Sequence, residues 1–101
     1  MIIAKVVGNV VATTKDEKLQ GKKILIVQPL DMETMEFDGK PLVTIDTVGS
    51  GVGEIVMVVG GSSARQTVIT KNTPVDSAIV GVIDHIEIEG VTTFETREGG
   101  S

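Results

Sequence analysis

The sequence predicts an all-β protein of a single domain. Three observations carry that expectation: valine and isoleucine heavily outnumber leucine, glycine supplies 12 of the 101 residues, and the apolar residues fall in short runs separated by turn-forming pairs. A chain of this length has no room for a second catalytic domain. It buries only roughly 60 to 65% of the surface that its unfolded form exposes, so apolar contact between copies would add usefully to a modest core.

Residues 2 to 14 alternate, with Ile2, Ala4, Val6, Val10 and Ala12 on one face and Lys5, Asn9 and Thr13 punctuating the other, which predicts a long, half-buried first strand. Gly8 inside it predicts a bulge or bend, as a strand serving two sides of a barrel requires. Residues 14 to 23 carry both signs of charge and read as a solvated connection, with Lys15, Lys18, Lys22 and Lys23 interleaved with Asp16 and Glu17. A strand from Lys23 to Gln28 follows, and Pro29 stops its ladder. Residues 30 to 41 turn at Asp38-Gly39 and form an excursion leading into a strand from Leu42 to Val48.

Glu54 to Val59 and Ala78 to Ile83 are apolar without alternation, the pattern of strands covered on both faces. Full burial of one valine or isoleucine is worth about 1.5 to 3 kcal/mol, so a partner surface is the expected cover for the outer face. Ser63-Ala64-Arg65-Gln66 has the form of a capping box, and Thr73-Pro74-Val75-Asp76 resembles another helix start; each predicts a single helical turn. His85, Glu87 and Glu89 share an outward face opposite Ile86 and Ile88, and Val91 to Thr96 predicts a last edge strand before a flexible end. Five or six strands with two one-turn helices suit a small OB-like β-barrel.

A formal charge of −5 and only two aromatic residues, Phe37 and Phe94, are a poor composition for holding phosphate backbones or stacking bases. Cysteine is absent, so neither disulfides nor thiolate metal sites contribute. The opening MIIAKVVGNVV does not read as a signal peptide, and no apolar run approaches the ~20 residues of a membrane span. Neither a membrane nor a nucleic acid is an expected partner, and the cytoplasm is the expected location.

The richest segment runs from Val48 to Gln66, where two glycine-rich turns bracket an apolar strand. Such turns let a backbone approach something closely. The approaching group is not the phosphate of a P-loop, because no Lys-Ser/Thr pair follows either turn. A neighbouring copy of the chain is the remaining candidate. Ser62 and Ser63 lack a Gly-x-Ser-x-Gly elbow and a nearby histidine, so they read as capping residues. Asp46, Glu54, Asp76 and Asp84 lie near apolar strand ends and read as structural carboxylates, with Glu54 and Asp76 the expected salt-bridge or capping residues. Arg65 sits beside two glycines without a second basic residue, and a fork to a carboxylate of a neighbouring subunit suits it better than an anion site. Met32 and Met35 read as packing against their own barrel or as a soft docking surface.

The strings GNVVATTKDEKLQGKKILIVQPLD, DTVGSGVGEIVMVVGGSSARQ and TPVDSAIVGVID, in that order, resemble the pentameric vertex proteins of bacterial microcompartments, a family that includes carboxysome and ethanolamine-utilisation members. The resemblance covers residues 1 to 84 as the barrel domain and leaves 85 to 101 as a C-terminal strand and tail. It implies a cyclic homopentamer that plugs the five-fold corners of a polyhedral shell in the bacterial cytoplasm, beside hexameric shell proteins. A structural protein, with no catalytic group, metal ion or cofactor, is the implication.

The family's Gly-Ala-Gly-x-Gly-Glu segment corresponds to Gly49, Ser50, Gly51, Val52, Gly53 and Glu54, with serine at the commoner alanine position. Gly61, Ser62, Ser63, Ala64 and Arg65 keep a second motif, and Pro74, Val75 and Asp76 keep a third, a structural turn. Gly49 to Glu54 and Ser62 to Arg65 are the expected subunit contact near the five-fold axis. The alternatives are an OB-like module that binds an anion or nucleotide, and one that binds a single strand.

Overall fold

A computed structural model describes residues 1–12, 21–60 and 77–96. Among these residues, seven strands run in the order β1 (Ile2–Asn9), β2 (Lys23–Pro29), β3 (Leu42–Asp46), β4 (Ile55–Gly60), β5 (Ser77–Val82), β6 (His85–Ile88) and β7 (Val91–Glu95). The first five close into a barrel of order β1-β2-β3-β5-β4, with β4 returning to β1. All pairings are antiparallel except the seam between β3 and β5, which is parallel. This is the five-stranded arrangement expected of an OB-like barrel.

The alternation read from the sequence sets the inner face. Ala4 and Val6 of β1, Leu25 and Val27 of β2, Val56 and Val58 of β4, and Ile79 of β5 form one buried cluster. Thr44 lies opposite Leu25 in the ladder and completes the lining on β3. Small and β-branched side chains fill a barrel of this size, so its interior is a packed core.

Gly8 marks the bend that its position predicts. Val6 pairs with Val27 and Gly8 with Ile26, so Val7 is the extra residue of a β-bulge. The first strand is shorter than expected: it ends at Asn9, and Val10 makes one further backbone bond to Ile24. β3 likewise ends at Asp46 instead of Val48, because the Asp46 side chain captures the Val48 amide and turns the chain.

The outer faces of β4 and β5 differ from expectation in one respect. Ile45, Val59 and Ala78 form a second buried cluster with Val80 packed against it, and Ile55 is also buried, all within a single chain. A partner subunit is not needed to cover these residues.

The sequence separated β6 and β7 without pairing them. They form their own antiparallel hairpin outside the barrel. The two residues between the strands, Glu89 (φ 50°) and Gly90 (φ 81°), both take positive φ, the requirement of a type I′ turn. Ile86 is the hairpin's buried residue, and bulged Thr93 donates its hydroxyl to the Met32 carbonyl at 2.7 Å. Among the described residues there is no helix. The two expected helical turns, at 63–66 and 73–76, lie outside the described residues.

Candidate functional site

The connection from β3 to β4 carries the first glycine motif, and its backbone explains the glycines. The Glu54 amide donates to the Gly51 carbonyl at 3.1 Å, closing a four-residue turn with Gly53 at its third position. Gly53 has φ +96°, so the turn follows the type II pattern that requires glycine there. Gly49 also needs its missing side chain, with φ +81°. Gly51 is different: its φ is ordinary, and an added Cβ would meet only Glu54 Oε1 at 3.6 Å.

Glu54 reaches back over the turn, its Oε1 accepting from the Gly51 amide at 2.6 Å. This matches the capping role expected of it. The turn is also stitched to β1, through Gly53 N to Val6 O at 2.8 Å and Val6 N to Glu54 O at 2.9 Å.

Ser50 points inward. It is fully buried, and its hydroxyl donates to Asp46 Oδ1 at 2.9 Å. The same Oδ1 accepts from the Val48 amide at 3.2 Å. Lys23 Nζ donates to the Ser50 carbonyl at 2.6 Å and lies 3.6 Å from Asp46 Oδ2. Burial alone would raise the Asp46 carboxyl, but bonds from the Ser50 and Val48 amides and the Ser50 hydroxyl, with the Lys23 charge, bring it below the ordinary 3.8.

Lys23 opens the second strand as expected, but its grouping with the solvated lysines gave it no partner. The structure places it directly opposite Asp46 in the β2–β3 ladder, where it fastens a loop 27 positions further along the chain. Charge type alone hinted at this pair, but the intervening excursion hid the register. Val48 and Val52, at 44% and 65% exposure, are left on the outside of the turn.

These contacts fix the shape of the turn. The Ser50 hydroxyl is spent on a carboxylate. His85 lies on the C-terminal hairpin, 3.7 Å from Glu87 and 3.5 Å from Glu95, on the solvated face expected for it. Of the predicted contact residues, the structure brings together Gly49, Ser50, Gly51, Gly53 and Glu54. Ser62, Ser63, Ala64, Arg65, Pro74, Val75 and Asp76 lie outside the described residues. No helix among the described residues is long and apolar enough to cross a membrane.

The proteins that this chain resembles in sequence and fold form a class of shell components. The family described as ethanolamine utilisation protein EutN/carboxysome matches residues 1–84. The shell vertex protein GrpN of Rhodospirillum rubrum is 47% identical over 87 residues, covering 86% of this chain and 97% of that one. The carboxysome shell vertex protein CcmL of Synechococcus elongatus is 41% identical over 101 residues, covering 97% and 98%. Among solved structures, Nostoc CcmL superimposes with a TM-score of 0.88 at 41% identity, covering 95% of this chain and 100% of that one. The pentameric microcompartment shell protein GrpN gives 0.78 at 46% identity, covering 87% and 99%.

The chain belongs to the EutN/CcmL family.

Proposed function

We propose that this protein is a structural component of a bacterial microcompartment shell, forming pentamers that cap the shell's five-fold vertices in the cytoplasm. The observation that carries this is its close likeness in sequence and fold to GrpN, itself a pentameric shell protein. The physical argument agrees. The described barrel interior is a packed apolar core, and the bonded glycine turn builds a shaped surface. Function of this kind is geometric: five-fold units let a sheet of six-fold tiles close. Hexameric shell proteins are the partners this role requires, met along the rim of the pentamer, and the role calls for no catalysis.

A ring interface is heterologous, so each subunit presents two different surfaces. We assign Gly49 to Glu54 and Ser62 to Arg65 to the subunit contact near the five-fold axis, and Pro74, Val75 and Asp76 to a structural turn. Residues 1–84 are the barrel unit and 85–101 an appended segment. The exposed, apolar Val52 tip supports the contact reading. An acidic chain with two phenylalanines does not favour the single-strand or anion-binding alternative.

The test is the absolute mass of the purified protein by native mass spectrometry or light scattering. Five chains of 10.6 kDa give a particle of about 53 kDa. A monomer at all concentrations would reject the vertex reading.

A further inference from the structure

The polar side chains beneath the glycine turn do more than link strands. Lys23 faces Asp46 across the β2–β3 ladder at 3.6 Å, and both side chains also bond to the loop. Asp46, whose side chain is only 2% exposed, ends β3 and fixes the Val48 amide and the Ser50 hydroxyl with one oxygen. Lys23 comes from a different strand and fixes the Ser50 carbonyl. Ser50 is thus held through both its side chain and its backbone, between two glycines that would otherwise leave the segment conformationally loose. Polar groups point inward and the apolar Val48 and Val52 point outward.

We propose that Asp46, Ser50 and Lys23 are positioning residues for the subunit contact, holding the Gly49 to Glu54 turn in the form that meets the next copy of this chain. This rests on the reading that this turn lies in the ring contact. The energetic logic is preorganisation. Ordering a glycine-rich segment on association subtracts from affinity, and in a ring the cost recurs at every interface. A turn already fixed in the free subunit avoids it. Ser50 has a specific part: an alanine there would withdraw a donor from a buried carboxylate, which then holds the loop less firmly.

The experiment measures the protein concentration at which half the chains are assembled, with far-UV circular dichroism at the same temperature reporting the barrel. Ser50→Ala, Asp46→Asn and Lys23→Met should each raise that concentration roughly tenfold or more while the barrel spectrum holds. Lys23→Arg, which still donates to the Ser50 carbonyl, should restore assembly. Lys23 is half exposed, so its variants fold even where Asp46→Asn does not. Gly51→Leu tests the contact reading separately, because its added Cβ is tolerated within the subunit.

Dispersal by Gly51→Leu with undiminished assembly in the Ser50, Asp46 and Lys23→Met variants would overturn the positioning proposal and leave the contact reading standing. An intact ring in Gly51→Leu would overturn the contact reading and the proposal with it. Loss of barrel signal in parallel with loss of ring would assign the three residues to folding alone, and would also overturn the proposal.

Discussion

Single residues of the barrel and its turn differ sharply in what they tolerate. Gly53→Ala forces an alanine to φ near +96°, which should cost about 1 to 3 kcal/mol in urea denaturation. Thr44 makes the opposite prediction. Its hydroxyl is buried in the barrel without a hydrogen-bond partner among the described residues, so Thr44→Val should leave stability unchanged or raise it by about 1 kcal/mol. Asp46 links stability to pH. Its carboxyl is held below 3.8 in the folded chain, so between the folded and unfolded values the unfolded chain binds more protons. The stabilisation from Asp46 is therefore present above about pH 4 and is lost as pH falls through the folded value. The described charged group facing it is Lys23. Acid titration of unfolding free energy should show this loss in the native sequence and a flatter profile in Asp46→Asn.

At the level of elements, alternation located the strands and turn chemistry located their breaks, because both depend on near neighbours. The partners of those strands depend on distant ones. Ile45 and Asp46 meet Ala78 and Ile79 across the parallel seam, and no local pattern announces a pairing over 33 residues. The seam is short and is extended by side chains: Ser77 Oγ donates to the Val43 carbonyl at 2.9 Å and Thr47 Oγ1 to the Ile79 carbonyl at 2.5 Å. The glycine turn was half legible for the same reason. Its glycines and Glu54 act within four residues, whereas Lys23 arrives by strand pairing. The C-terminal hairpin offers a separate test. Glu89 occupies a positive-φ turn position that asparagine suits better, so Glu89→Asn should slow amide hydrogen exchange in β6 and β7 and leave the barrel strands unchanged.

For the molecule as a whole, barrel closure is finished before the hairpin begins. A chain ending at Asp84 should keep the barrel spectrum, with a loss of about 1.5 to 3 kcal/mol from removing the Ile86 contact. Failure of that shortened chain to fold would reject residues 1–84 as an independent unit. Assembly was legible in the sequence only through resemblance, since a ring order is a property of angles between copies and leaves no periodic trace in one chain. The doubly apolar strands illustrate the difficulty: Val59 and Ala78 suggested a waiting neighbour, yet they are satisfied within their own subunit.

Among the described residues, Thr93 bonds the hairpin to Met32, and neither of its strands belongs to the barrel sheet. The turn between its strands therefore lies outside the barrel ladders and can take foreign sequence without disturbing strand closure. Replacing Glu89 and Gly90 by a short tag would mount five copies of that tag on each assembled particle, which makes the β6–β7 turn a natural attachment point for building on a shell from its corners.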